Sequence, residues 1–162
     1  MMWSKLIKHI NRFFENVTAV FLAMMVILIF VQVISREVVG SSFPWTEEVA
    51  RYLMIWITFL GASFAFQYGA HIGIEFFKMK LPIPFQKAFD LVAVLACSIF
   101  FYFMIKYGVD ISNRAMVQTS AALSIPMGYV YLVIPLSGFL MFLNVIDITI
   151  RNFKKEVGST EQ

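Results

Sequence analysis

Charge, histidine and cysteine are all scarce in this chain, and each scarcity removes a class of function. Only 14% of the 162 residues are charged, with two histidines and one cysteine, where an average soluble domain carries about 25% charged residues. With Cys97 alone, no disulfide can form within the chain; a small thiol amid apolar residues reads as a packing group. A metal centre needs clustered His, Cys or carboxylates, and no such cluster is visible, so no metal is expected. A haem held in the bilayer needs axial ligands inside the spans, but His9 and His71 fall at the ends of apolar runs. That argues against a membrane anchor for a redox enzyme, and no cofactor is expected. Neither a Gly-rich phosphate loop nor a serine-nucleophile motif is present, and no catalytic residue can be nominated. Finally, the apolar runs hold no charge near their middle, whereas a self-sufficient transporter places polar groups there.

What the chain has in abundance is apolar surface. It is 60% hydrophobic, with 18 Phe and 10 Met. About 20 uncharged residues lie between Glu15 and Arg36, roughly the length that crosses a hydrocarbon core. About 23 follow Arg51, interrupted only by His71. The run from Asp90 to Lys106 is shorter and spans if its flanking charges sit at head-group level. The last run, from Ala115 to Ile146, exceeds one span, and Pro126 suggests that its helix starts there, with a kink at Pro135. The expected architecture is therefore an all-α integral membrane protein with four transmembrane helices, at about 17–35, 47–68, 85–107 and 126–150. Residues 17–150 form the membrane domain and 151–162 a tail.

The cationic residues set the orientation. Lys5, Lys8, Arg12, Lys78, Lys80, Lys87, Arg151, Lys154 and Lys155 fall on one side of a four-span topology; Arg36, Arg51, Lys106 and Arg114 fall on the other. The positive-inside bias places both termini in the cytoplasm. The net charge of +3 follows from this bias, and no nucleic-acid partner is implied.

Residues 1–16 read as a short amphipathic helix. Trp3, Leu6, Ile7, Ile10, Phe13, Phe14 and Val17 recur at helical spacing opposite Lys5, Lys8, His9, Arg12 and Glu15. Such a helix suits the membrane interface, with Trp3, Phe13 and Phe14 as lipid anchors; the alternative is a plain extension of the first span. The densest chemistry stands at the entrance to the second span, Phe43-Pro44-Trp45-Thr46-Glu47-Glu48-Val49-Ala50-Arg51. Thr46 is placed to cap the helix, and the helix dipole favours Glu47 and Glu48 in its first turn. At about 100° per residue, Glu47, Arg51, Met54, Thr58, Gly61, Ala65 and Gly69 share one sector, while Tyr52, Leu53, Trp56, Ile57, Leu60 and Phe64 share the opposite one. The small-residue side, Thr58, Gly61, Ala65 and Gly69, reads as a helix-packing face. Glu47, Glu48 and Arg51 fit either contacts to a partner subunit or a capped, internally paired helix start, with Arg36 as a further partner. Near the inner ends, Asn144, Asp147 and Arg151 share a face of the fourth helix, and Asp147 and Arg151 form an i,i+4 pair. These and Asp90 read as boundary or inter-helix groups rather than proton carriers.

An ordered series of motifs along the chain resembles a known family. Trp45-Thr46-Glu47-Glu48-Val49-Ala50-Arg51, then Trp56 and Phe59-Leu60-Gly61-Ala62, resemble the second helix of the small membrane subunit of tripartite ATP-independent periplasmic (TRAP) transporters, the DctQ-like family. His71-Ile72-Gly73-Ile74-Glu75 is similar to that family's loop motif, with Glu75 where Asp is more usual. Gln118-Thr119-Ser120-Ala121-Ala122-Leu123-Ser124-Ile125-Pro126-Met127 and Pro135 resemble the entry to its fourth helix, with Ala121 where Pro often follows. The resemblance implies a non-catalytic small permease subunit in the bacterial inner membrane. Its implied partners are membrane lipid, a large TRAP subunit that carries the sodium and substrate sites, and a periplasmic substrate-binding protein. The implied cargo is an organic acid of the C4-dicarboxylate or sialic acid type. Trp45, Glu47, Glu48, Arg51 and Gln118 then become candidate contacts at the periplasmic side. A stand-alone four-helix transporter or channel is the alternative from another class.

Overall fold

A chain that crosses lipid must bond its own backbone groups, and a single apolar segment can do so only as a helix. In the computed structural model, which describes residues 2–40, 43–68 and 83–159, the long apolar runs are all helical. Helix α1 covers Met2–Ile34 and passes into a π-helical turn, Ser35–Val39. Gly40 then ends it in the left-handed conformation at φ 73°, which a residue without Cβ adopts freely. Helix α2 covers Pro44–Tyr68, α3 Ile83–Ala115, α4 Gly128–Tyr131 and α5 Val133–Ser159. Four segments are long and apolar enough to cross a membrane: Ser4–Val38, Pro44–Gln67, Leu91–Ala115 and Gly128–Ile150. The described residues contain no strand; their one β-bridge joins Thr119 and Pro126 in the loop before α4.

Several boundaries differ from those expected. The amphipathic N-terminal segment is helical, but it runs into the first span without a break near residue 16. Its i, i+4 polar and apolar faces simply continue the helix, and no helix-breaking residue separates the two parts. The third span extends to Ala115, so Gly108, expected to open a loop, lies inside a helix. A Cβ there would stand 2.8 Å from Cδ of Pro135, so glycine here serves close helix approach. The fourth span is interrupted at Leu132, three residues before Pro135. Proline supplies no N–H, so the turn preceding it loses an intrahelical bond, and Leu136 donates to Leu132 O at 3.3 Å just beyond. Thr46 does not cap α2 from outside. It lies in the first turn, fully buried, and its hydroxyl donates back to Phe43 O at 2.7 Å. Pro44 opens the helix instead, where its missing N–H costs nothing.

The neighbour order is α1–α2–α5–α3, and α5 also touches α1 and α4, which makes it the central element. On one side of it, Leu60, Val133 and Leu140 are buried with Ile10, Phe14 and Val17 of α1 and Trp56 of α2 packed around them. On the other, Phe101 of α3 meets Met141 and Val145, with Cys97 among the flanking groups, a packing role as expected. Between these helices lipid offers no less apolar a surrounding than Leu does, so association depends on close fit. Three glycines mark that fit at the α3–α4–α5 seam: Gly108 against Pro135, Gly128 against Ser112 O, and Gly138 against Ile105. The flanking helices keep their bulk outward: Ile27 and Phe30 on α1 and Val92 and Phe100 on α3 are all more than half exposed.

Candidate functional site

At the loop end, two adjacent carboxylates do different things. A step of about 100° around the helix points Glu47 outward and Glu48 toward the loop before α4. Glu47 accepts from Arg51 Nη2 at 2.9 Å, and both side chains are roughly three-fifths exposed; the pair expected from i,i+4 spacing is present. Arg36 does not join it but pairs with Glu37 at 3.4 Å. Glu48 instead holds the loop. Its Oε2 accepts the backbone N–H of Ala122 at 2.8 Å and of Leu123 at 3.0 Å, and its Oε1 accepts the Tyr52 hydroxyl. The loop returns on itself through Ser120 N to Ile125 O at 2.9 Å and Met127 N to Gln118 O at 2.8 Å. Ser124 adopts φ 55° at its tip, a conformation that L residues occupy at a cost. One carboxylate thus fixes a strained connection, residues 116–127, across 74 residues of sequence. Trp45 and Gln118 are exposed beside it, and Trp45 lies against Phe43 with ring centroids 6.4 Å apart.

Along α2 the two faces separate as the angular map predicts. The bulky face turns inward: Leu60 is buried, and Trp56 meets Phe21 of α1 edge-on at 6.1 Å. The small-residue face turns away from the other described helices. Thr58 and Ala65 are exposed, and a Cβ built on Gly61 meets no atom within 4 Å. Among the described residues, no other helix packs against this face. Thr58 satisfies its hydroxyl internally by donating to Met54 O at 2.8 Å. Of the expected anchors, Phe13 is exposed, whereas Phe14 packs against the Leu60–Val133–Leu140 cluster. Gly69, the loop motif His71–Glu75, the side chain of Trp3, and those of Asp90 and Arg151 lie outside the described residues.

At the termini end lies a polar cluster that the sequence does not announce. Asn11, Asn144 and Asp147 are each 2% exposed or less. Asn11 Nδ2 donates to Asn144 Oδ1 at 2.7 Å and to Gln67 Oε1. Asn144 Nδ2 donates to Ser63 O at 2.7 Å and to Asn11 Oδ1 at 3.3 Å. Each asparagine NH2 carries two protons, so both are fully used. Ser4 donates to Asp147 Oδ1 at 2.6 Å, extending the cluster by about two turns of α1. The expected inter-helix role for Asn144 and Asp147 is what this geometry provides. Asn11 was hidden because it interrupts an apolar stripe, at i+4 from Ile7, where one polar residue barely alters the periodicity. Among the described residues no group of three or more His, Cys, Asp or Glu stands close enough to hold a metal.

These elements define a class: a small four-span membrane protein whose polar groups tie helices and a loop together and whose second helix offers an open face. Residues 25–155 match the family described as tripartite ATP-independent periplasmic transporters, DctQ component, and the chain belongs to that family. A Haemophilus influenzae chain described as a TRAP transporter small permease protein is 31% identical over 146 residues, covering 86% of this chain and 87% of that one. The ectoine TRAP transporter small permease protein TeaB of Halomonas elongata is 31% identical over 82% of this chain and 71% of its own length. The sialic acid TRAP transporter permease protein SiaT of Haemophilus influenzae is 28% identical over 91% of this chain but only 24% of its own length. The protein is a small TRAP permease subunit, a multi-pass protein of the bacterial inner membrane.

Proposed function

We propose that this subunit is non-catalytic and acts mechanically, as a brace for the static part of a large permease subunit that carries the sodium and substrate sites. The observation that carries the reading is the open face of α2. Thr58, Gly61 and Ala65 lie on the outer side of a helix whose opposite side is packed, and Gly61 has free space around it. Small residues let helix backbones approach closely in lipid, so this face suits a helix of another chain. SiaT supports the reading, since the part matching this chain is about a quarter of a longer permease. Lipid covers the bulky flanks of α1 and α3.

The termini face the cytoplasm in this reading, supported by nine cationic residues on that side against four on the other. The end bearing Trp45, Glu47, Arg51 and Gln118 is then periplasmic and meets the substrate-binding protein, while Glu48 keeps the adjoining loop in shape. The cargo is an organic acid of the C4-dicarboxylate or sialic acid type; relatives are named for C4-dicarboxylate, sialic acid and ectoine, and the sialic acid type is favoured.

The test replaces Gly61 and Ala65 together by Leu. Thermal stability of the isolated chain should not fall, because no described residue meets a Cβ built on Gly61. Copurification with the large subunit and substrate uptake should both fall. Unchanged assembly and uptake, or uptake by this chain alone in vesicles, would overturn the reading.

A further inference from the structure

The buried amide cluster makes a demand that packing alone does not. The inner third of α1 carries Lys5, Lys8 and Arg12 on its exposed side, a composition that could equally rest in the lipid interface. Yet Ile7 and Asn11 of that segment are each 2% exposed, inside the bundle. What distinguishes the two placements is the set of directional bonds from Asn11 to Gln67 and Asn144, and from Asn144 to Ser63 O. Apolar contacts tolerate sliding by a turn, whereas a reciprocal amide pair is satisfied in one register only.

We propose that Asn11, Gln67 and Asn144 form a register lock, which fixes the inner third of α1 against α2 and α5 so that the subunit behaves as one rigid strut. The lock joins three helices at one level: Asn11 from α1, Gln67 and the Ser63 carbonyl from α2, Asn144 from α5. Slippage of α1 by one residue would turn Asn11 through about 100° and strand buried donors. The Ser4–Asp147 bond lies on the same seam, so the device holds α1 to α5 at two levels. Stiffness of this kind is useful to the bracing role proposed above, on which the functional meaning rests; the lock itself concerns this chain alone.

Spin labels test it. Leu6→Cys and Ile150→Cys place labels on exposed sites of α1 and α5, with Cys97→Ser removing the native thiol, in the full chain in lipid nanodiscs. The parent should give one narrow inter-label distance. Replacing Asn11, Gln67 and Asn144 together by Leu, with Ser4→Ala to release the bond to Asp147, keeps the core of the cluster apolar and removes every directional bond named above. That variant should remain helical yet show a broadened or multiple distance distribution. If it fails to fold, Asn11→Ala alone should produce the broadening. A narrow parental distance in whichever variant is folded would overturn the lock. Copurification of the parent with the large subunit is scored separately, so loss of the bracing role and loss of the lock give different patterns.

Discussion

Replacing Gly108 by Ala is a sharp test of the α3–α5 seam, because the same substitution at Gly61 supplies its control. Both glycines sit inside helices, so both changes gain the same intrinsic term, about 1 kcal/mol in favour of Ala. They differ in what the new Cβ meets. At Gly108 it stands 2.8 Å from Pro135 Cδ, 3.0 Å from Pro135 N and 3.1 Å from Ile134 Cγ2. Two of those atoms belong to a closed ring and its backbone nitrogen, which cannot swing aside, so the helices must part. Overpacking a well-fitted core costs about 1–3 kcal/mol. At Gly61 the new Cβ meets no atom of the other described residues within 4 Å, and the overpacking cost vanishes. Subtracting one variant from the other cancels the helical term, so Gly108→Ala should be less stable than Gly61→Ala by about 1–3 kcal/mol. Thermal unfolding of the isolated subunit, followed by loss of its monodisperse elution, gives the comparison. Equal midpoints for the two variants would refute the close approach of α3 and α5.

Two further outcomes follow from side chains whose positions the sequence left open. Phe14→Ala should destabilise the subunit by about 1–3 kcal/mol, less than a fully buried ring because Phe14 is only partly enclosed, whereas Phe13→Ala should leave the melting midpoint nearly unchanged; equal effects in the thermal assay would contradict their opposite orientations. Glu48→Ala removes the acceptor of the Ala122 and Leu123 N–H groups, so hydrogen exchange at those two amides should rise while that of α3 stays as it is; unaltered protection would mean that Glu48 does not hold the loop.

The sequence by itself determined the number of spans, because a backbone in lipid has almost no choice but a helix, and apolar run lengths count the crossings. It also determined the division of α2 into a bulky and a small-residue face, since about 100° per residue fixes which side chains share a side. The Glu47–Arg51 pair was equally local, four residues apart on one turn. Only the tertiary structure decided which of those faces turns inward. The bulky side went to α1 and α5, and the small-residue side was left open. Only the fold could also separate the roles of Glu47 and Glu48, because the donors that bind Glu48 come from residues 74 and 75 positions away. The same is true of Asn11, whose partner Asn144 is 133 residues distant. Local geometry sets what each helix can present; which neighbour receives it depends on long-range bonds that no stretch of sequence contains.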